Sequence, residues 1–236
     1  MRTNQPIHSM VEPLEHRTLL SAAVVTHTFL RVVGPAGAMN TITVADSADG
    51  TMVDVSIHSV NRRGVTKDFN ASYPKSLGFQ RVHVRGGVFA DTITVGSEAA
   101  PFALPVRIDA KRGDDTITVH GSNDDILVGG VGNDTVHAGG GNDVLFGKQG
   151  DDALFGEDGN DTVWGGAGND MEDGGTGDDK VGGIVGTNTL TGGAGHDEFV
   201  CMGNGLEGNP ANDFNPAEDL LTLTKKKDDG NKPPAI

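Results

Sequence analysis

The chain has 236 residues and a formal charge of −15; 36% of its residues are apolar, only 5% are aromatic, and 36 are glycine. Such an acidic balance argues against nucleic acid and anionic membrane surfaces as partners, and the apolar content is thin for an ordinary packed core. Cys201 is the only cysteine, which excludes an intramolecular disulfide, and no apolar run approaches the roughly 18 residues of a membrane span.

Residues 1–22 read as a leader. The apolar stretch 19–25 is short and follows Glu12 and Glu15, a poor charge pattern for a secretory signal. LEHRTLLSA, residues 14–22, resembles the LEPR-x-LL segment of some bacterial extracytoplasmic proteins, with His16 in place of the proline. The alternative is an untemplated flexible leader.

Residues 23–119 read as β-rich. NTITV at 40–44 and DTITV at 91–95 and 115–119 are near copies, and Ile42 and Val44, Ile93 and Val95, and Ile117 and Val119 share the parity of half-buried strands. TMVDVSIHSV and FQRVHVRGG also alternate. The region forms either larger solenoid coils or an irregular sheet leading into the next segment.

From 120 to 200 the composition changes. Residues 121–200 hold 23 of the 36 glycines and a net charge of −14, whereas the rest of the chain nets −1. Asp125, Asp134, Asp143, Asp152, Asp161, Asp170, Asp179 and Asp197 are spaced by nine or a multiple of nine, and the intervening step holds Asn188. A glycine lies two residues before each aspartate except the first: Gly132, Gly141, Gly150, Gly159, Gly168, Gly177 and Gly195, with Gly186 before Asn188. An apolar residue lies two after, from Leu127 to Phe199, except at Glu172.

Each unit therefore reads as a glycine turn followed by a short strand whose middle residue points inward. With two units per coil, equivalent residues stack at the spacing of adjacent strands, about 4.8 Å. Stacking lines Asp125, Asp143, Asp161, Asp179 and Asp197 along one edge, and Asp134, Asp152, Asp170 and Asn188 along the other. Like charges about 5 Å apart repel by roughly 0.8 kcal/mol even in water. Such ladders need cations between their rungs. Oxygen ligands from carboxylates and turn carbonyls suit Ca²⁺ better than Zn²⁺ or Mg²⁺. The turn glycines that join the aspartates as candidate metal-site residues are Gly130, Gly132, Gly139, Gly141, Gly150, Gly159, Gly166, Gly168, Gly175 and Gly177.

Units such as GGVGNDTVH (129–137) and GGAGHDEFV (192–200) resemble the hemolysin-type (RTX) calcium-binding nonapeptide, G-G-x-G-x-D-x-U-x. The resemblance implies an all-β, right-handed parallel β-roll that binds several Ca²⁺ ions between coils, with the eight aspartates as the sixth-position carboxylates. It also raises the question of whether Asp91 and Asp115 extend the site or are only turn residues. Asn188 lacks the charge, and Ile184-Val185 replace glycine in the same turn, so a weak rung is expected there. Glu172 stands where a core residue belongs; burying it unpaired costs several kcal/mol. A local bend is expected, or rotation of Glu172 toward solvent or an ion.

Residues 201–224 read as a cap. DFNPAEDLLTL (213–223) resembles the strand that closes such rolls, with Phe214, Leu221 and Leu223 as covering groups. The tail 225–236 is polar and expected to be disordered.

Neither an H-E-x-x-H helix nor a G-x-S-x-G elbow occurs. His137 and His196 fall inside repeat units as solvent-facing variants, and the acidic glycine loops repel phosphate. The expected protein is a non-enzymatic, secreted or cell-surface calcium binder. The alternatives are an adhesin whose residues 23–119 bind carbohydrate or protein, and a small polysaccharide-acting enzyme on a solenoid.

Overall fold

The computed structural model describes residues 22–25, 28–202 and 211–224, with side chains over 28–201 and 211–222. The leader through residue 21, the tail from Lys225 and the side chain of Leu223 lie outside the described residues.

The strands follow the period-2 apolar pattern in chain order. The first five are β1 (Ala22–Val25), β2 (Phe29–Val33), β3 (Ala38–Asp46), β4 (Met52–Asn61) and β5 (Thr66–Pro74). Next come β6 (Arg81–Arg85), β7 (Thr92–Val95), β8 (Val106–Arg112), β9 (Thr116–Val119) and β10 (Ile126–Val131). The repeat supplies β11 (Thr135–His137), β12 (Val144–Gln149), β13 (Ala153–Asp158), β14 (Thr162–Ala167) and β15 (Met171–Thr176). The last are β16 (Lys180–Gly182), β17 (Thr189–Ala194), β18 (Glu198–Met202) and β19 (Leu220–Thr224).

These strands form two facing sheets, β1-β2-β6-β8-β10-β12-β14-β16-β18-β19 and β17-β15-β13-β11-β9-β7-β3-β4-β5. From β2 onward the first sheet is parallel throughout, and so is the second from β3 to β17. The chain alternates between the sheets, making a β-solenoid. Middle residues face inward: Leu127, Leu145, Val163, Val181 and Phe199 stack from one sheet, and Ile117, Val136, Leu154 and Leu190 from the other, all fully buried.

The same stack continues through the NTITV and DTITV strands. Thr41, Thr92, Thr116 and Thr135 are successive partners in one row, with Ile42, Ile93, Ile117 and Val136 inward beside them. In this region coil length varies. Register partners are 51 residues apart at Thr41–Thr92, 24 at Thr92–Thr116 and 19 at Thr116–Thr135, then settle at 18. The longest step contains the antiparallel excursion β3-β4-β5.

Each end of the stack is covered. Antiparallel β1 lies against β2, and β4-β5 extend the other sheet beyond β3. At the opposite end β19 pairs with β18, and Phe214 meets Phe199 edge-on with ring centroids 5.6 Å apart. The buried apolar core runs as one cluster from Leu30 to Val163 and resumes at Val181, Leu190, Phe199 and Cys201.

Candidate metal centre

Each glycine turn delivers an aspartate whose side chain turns into the stack. Asp125, Asp134, Asp143, Asp152, Asp161, Asp170, Asp179 and Asp197 are all buried, none more than 3% exposed. Oδ1 of each accepts a backbone N–H from the coil before it. On one edge Asp125 N–H donates to Asp143, Asp143 to Asp161, Asp161 to Asp179 and Asp179 to Asp197, at 2.7–2.9 Å. On the other, Asp115 donates to Asp134, Asp134 to Asp152, Asp152 to Asp170, and Asp170 to Asn188, at 2.8–3.0 Å.

The second carboxylate oxygen has a different environment. Oδ2 of Asp115, Asp134, Asp143, Asp152, Asp161, Asp170 and Asp179 is buried without a hydrogen-bond partner among the described residues. In Asp134, Asp152, Asp161, Asp170 and Asp179 it lies over the first glycine of the turn, whereas Ala110 and Ala138 hold that position before Asp115 and Asp143. A Cβ on Gly129, Gly147, Gly156, Gly165, Gly174 or Gly192 would overlap Oδ2 of the aspartate five residues on. Burial, reinforced by neighbouring carboxylates, lifts the pKa to about 7 for Asp115, Asp134, Asp152 and Asp179, and to about 8 for Asp143. Burial also lifts Asp125 to about 7 and Asp161 to about 6, and moves Asp170 and Asp197 upward.

A buried, unsatisfied carboxylate oxygen is costly. Rows of them, one per coil, form the donor set that a hard divalent cation completes. Among the described residues no three Asp, Glu, His or Cys side chains form a cluster able to hold a metal. Around the same glycines as Oδ2 of Asp152, Asp161 and Asp179 stand the carbonyl oxygens of Gly165, Gly174 and Gly192, and a cation there would find further oxygens among them. An oxygen-only cage of this kind fits Ca²⁺. The ten glycines expected at the site, Gly130, Gly132, Gly139, Gly141, Gly150, Gly159, Gly166, Gly168, Gly175 and Gly177, sit in these turns with φ between 95° and 147°. Successive turns nearly touch: a Cβ on Gly150 would overlap the carbonyl oxygen of Gly132.

The structure adds residues that the nine-residue spacing missed. A second ladder runs at the fifth position with opposite polarity. Asn142 N–H donates to Asp124, Asn160 to Asn142 and Asp178 to Asn160; on the other edge Asn133 donates to Asp114, Asp151 to Asn133 and Asn169 to Asp151. The recurrence of Asn or Asp before the sixth-position aspartate was the available signal. The inner ladder also reaches beyond the repeat. Asp91 N–H donates to Asp115 at 2.7 Å, and Asp197 N–H to Asp219 at 3.1 Å. Asp115 has an unsatisfied Oδ2, as in the repeat. Asp91 is closed by the chain itself: Asn40 N–H and Nδ2 reach Oδ1, and Gly87 N–H reaches Oδ2.

Glu172 departs from the expected bend or turn to solvent. β15 stays in register, with Glu172 between Leu154 and Leu190, and its side chain is fully buried. Oε1 accepts Gly165 N–H at 3.1 Å, while Oε2 has no hydrogen-bond partner among the described residues. The backbone holds this register because both flanking strands fix it. Burial, then the nearby Asp170 carboxylate, raises the Glu172 pKa to about 8.

Residues 107–127, 121–154, 146–181 and 182–200 match four copies of the RTX calcium-binding nonapeptide repeat. No curated protein and no solved structure matches the chain. Among the described residues no helix is long and apolar enough to cross a membrane. The stacked carboxylates and the family match coincide, and residues 107–200 are a run of RTX calcium-binding nonapeptide repeats that bind several Ca²⁺ ions.

Proposed function

We propose that this is a secreted or cell-surface protein whose β-roll orders when Ca²⁺ neutralises the two carboxylate ladders. The observation that carries this reading is the row of buried aspartate Oδ2 atoms without hydrogen-bond partners among the described residues. Without a cation, like charges stack one strand apart behind a narrow core, and repulsion opposes the fold. Extracellular calcium modules work at about 10⁻⁴–10⁻³ M, so the roll would stay open in a calcium-poor interior and close outside. Circular dichroism during a Ca²⁺ titration should show a cooperative gain of β signal. A spectrum that EDTA leaves unchanged would overturn the proposal.

A second reading concerns the N-terminal coils and an anionic carbohydrate partner. Arg31, His83 and Arg107 form one outward row across β2, β6 and β8, and Arg81 and Arg85 flank His83 along β6. Among the described residues none of the four arginines forms a salt bridge, and the acid beside Arg85, Asp109, is paired with Lys111. Burial, then the charges of Arg81, Arg107 and Arg31, lower the His83 pKa, so the positive charge of this row rests on the arginines around it. Guanidinium groups suit the carboxylates of a uronate polymer. Retention on immobilised polygalacturonate that falls with salt and with R31A/R107A would support this; equal retention of the variant would reject it. Release of reducing ends from that polymer would make the protein an enzyme instead.

A further inference from the structure

Two irregularities of the repeat lie next to each other. Asn188 is the one rung of its ladder within the repeat without a charge, and Glu172 is the one acid among the inward-facing core residues. Glu172 sits between Leu154 and Leu190, where the apolar core divides into two clusters. Its carboxyl is not oriented at random within that gap. A Cβ on Gly165 would overlap both Glu172 Oε1 and Asp170 Oδ2, so the two carboxyls converge over the same glycine. Asp170 Oδ2 and Glu172 Oε2 are both buried without hydrogen-bond partners among the described residues. Directly above, Asn188 Oδ1 accepts Asp170 N–H and keeps the ladder's backbone geometry while contributing no charge.

We propose that Glu172 is a calcium ligand that reaches from the core to the Asp170 rung and supplies the carboxylate that Asn188 lacks. This rests on the calcium reading above. Glutamate has one more methylene than aspartate, and from an inward position two residues along the strand it brings its carboxyl to the edge that an aspartate reaches from the turn. A hard cation prefers anionic oxygen to an amide, so the chain keeps the charge count of this edge while moving its source. Asp170 and Glu172 together replace the two stacked aspartates that an unbroken repeat would place at positions 170 and 188.

The test compares ion stoichiometry by calorimetry with melting temperature, in EDTA and in Ca²⁺, for the full chain and three variants. Glu172→Leu restores the apolar series of Leu154 and Leu190; it should melt about 5 °C or more higher in EDTA yet bind one ion fewer. Glu172→Gln, nearly isosteric, should also lose that ion, which covers the case of a Leu variant that fails to fold. Adding Asn188→Asp to Glu172→Leu should restore the count. Unchanged stoichiometry in both single variants overturns the assignment and leaves Glu172 a neutral buried acid. Absence of calcium uptake by the unmodified chain overturns the calcium reading and this assignment together.

Discussion

Asp161 illustrates how much a single side chain does in this stack. Its Oδ1 accepts Asp143 N–H at 2.7 Å, its own N–H donates to Asp179, and its Oδ2 lies over Gly156. Asp161→Ala removes an acceptor from a buried N–H, which costs about 1–3 kcal/mol, and removes a ligand from the sites on both sides of the rung. Asp161→Asn can keep the hydrogen bond and delete only the charge. Chemical denaturation should find the Asn variant at least as stable as the native chain in EDTA but less stabilised by Ca²⁺. The Ala variant should be weaker in both.

The shifted carboxyls also fix a pH dependence. Asp143 at about 8 and Asp134 and Asp152 at about 7 lie far above the usual 3.8, so the ion-free fold holds protons that the unfolded chain has released. Their contribution to ion-free stability is greatest near pH 4 and is lost as pH rises through 7 to 8. Calcium competes with those protons, so its apparent affinity should increase across the same window. Titrations at pH 5.5 and 8 should give the weaker binding at the lower value; the reverse order would contradict the buried ladders.

At the scale of the strand and turn, the roll has little room for error. Each coil contributes one inward residue per sheet, such as Leu145 and Leu154, with fully buried neighbours above and below. Leu145→Ala should cost about 2–5 kcal/mol in the calcium-loaded protein, read from denaturant midpoints. Gly150→Ala would press a methyl into the carbonyl of Gly132 at a φ of 125°, and should prevent closure of that turn at any calcium concentration.

The roll was legible because its period is strict. Asp125 to Asp197 announce both edges, and the apolar residue two positions later announces the core. The N-terminal coils were only half legible: the TITV strands are visible, but steps of 51, 24 and 19 residues hide the stacking behind a hairpin and a loop. Asp219 was invisible because it lies 22 residues after Asp197, outside the repeat frame. The outer Asx ladder was missed because an exposed Asn before an Asp reads as an ordinary turn residue. Glu172 stands out in the sequence, but its direction is not readable there, because register with Leu154 and Leu190 overrides the local cost of burying an acid.

Across the whole molecule, the N-terminal end of the ladder that runs from Asp91 to Asn188 differs from the rest of it. At Asp91 three N–H groups of Asn40 and Gly87 do what a metal does elsewhere, and the carboxylate is satisfied by covalently tethered donors. Chelation should therefore unravel the protein from one side only, fraying the distal coils while the Asn40 end stays shut. Limited digestion in EDTA would then leave a resistant N-terminal stub bearing β2–β7. That stub is a ready-made footing on which the remaining turns can rewind, one after another, when calcium returns.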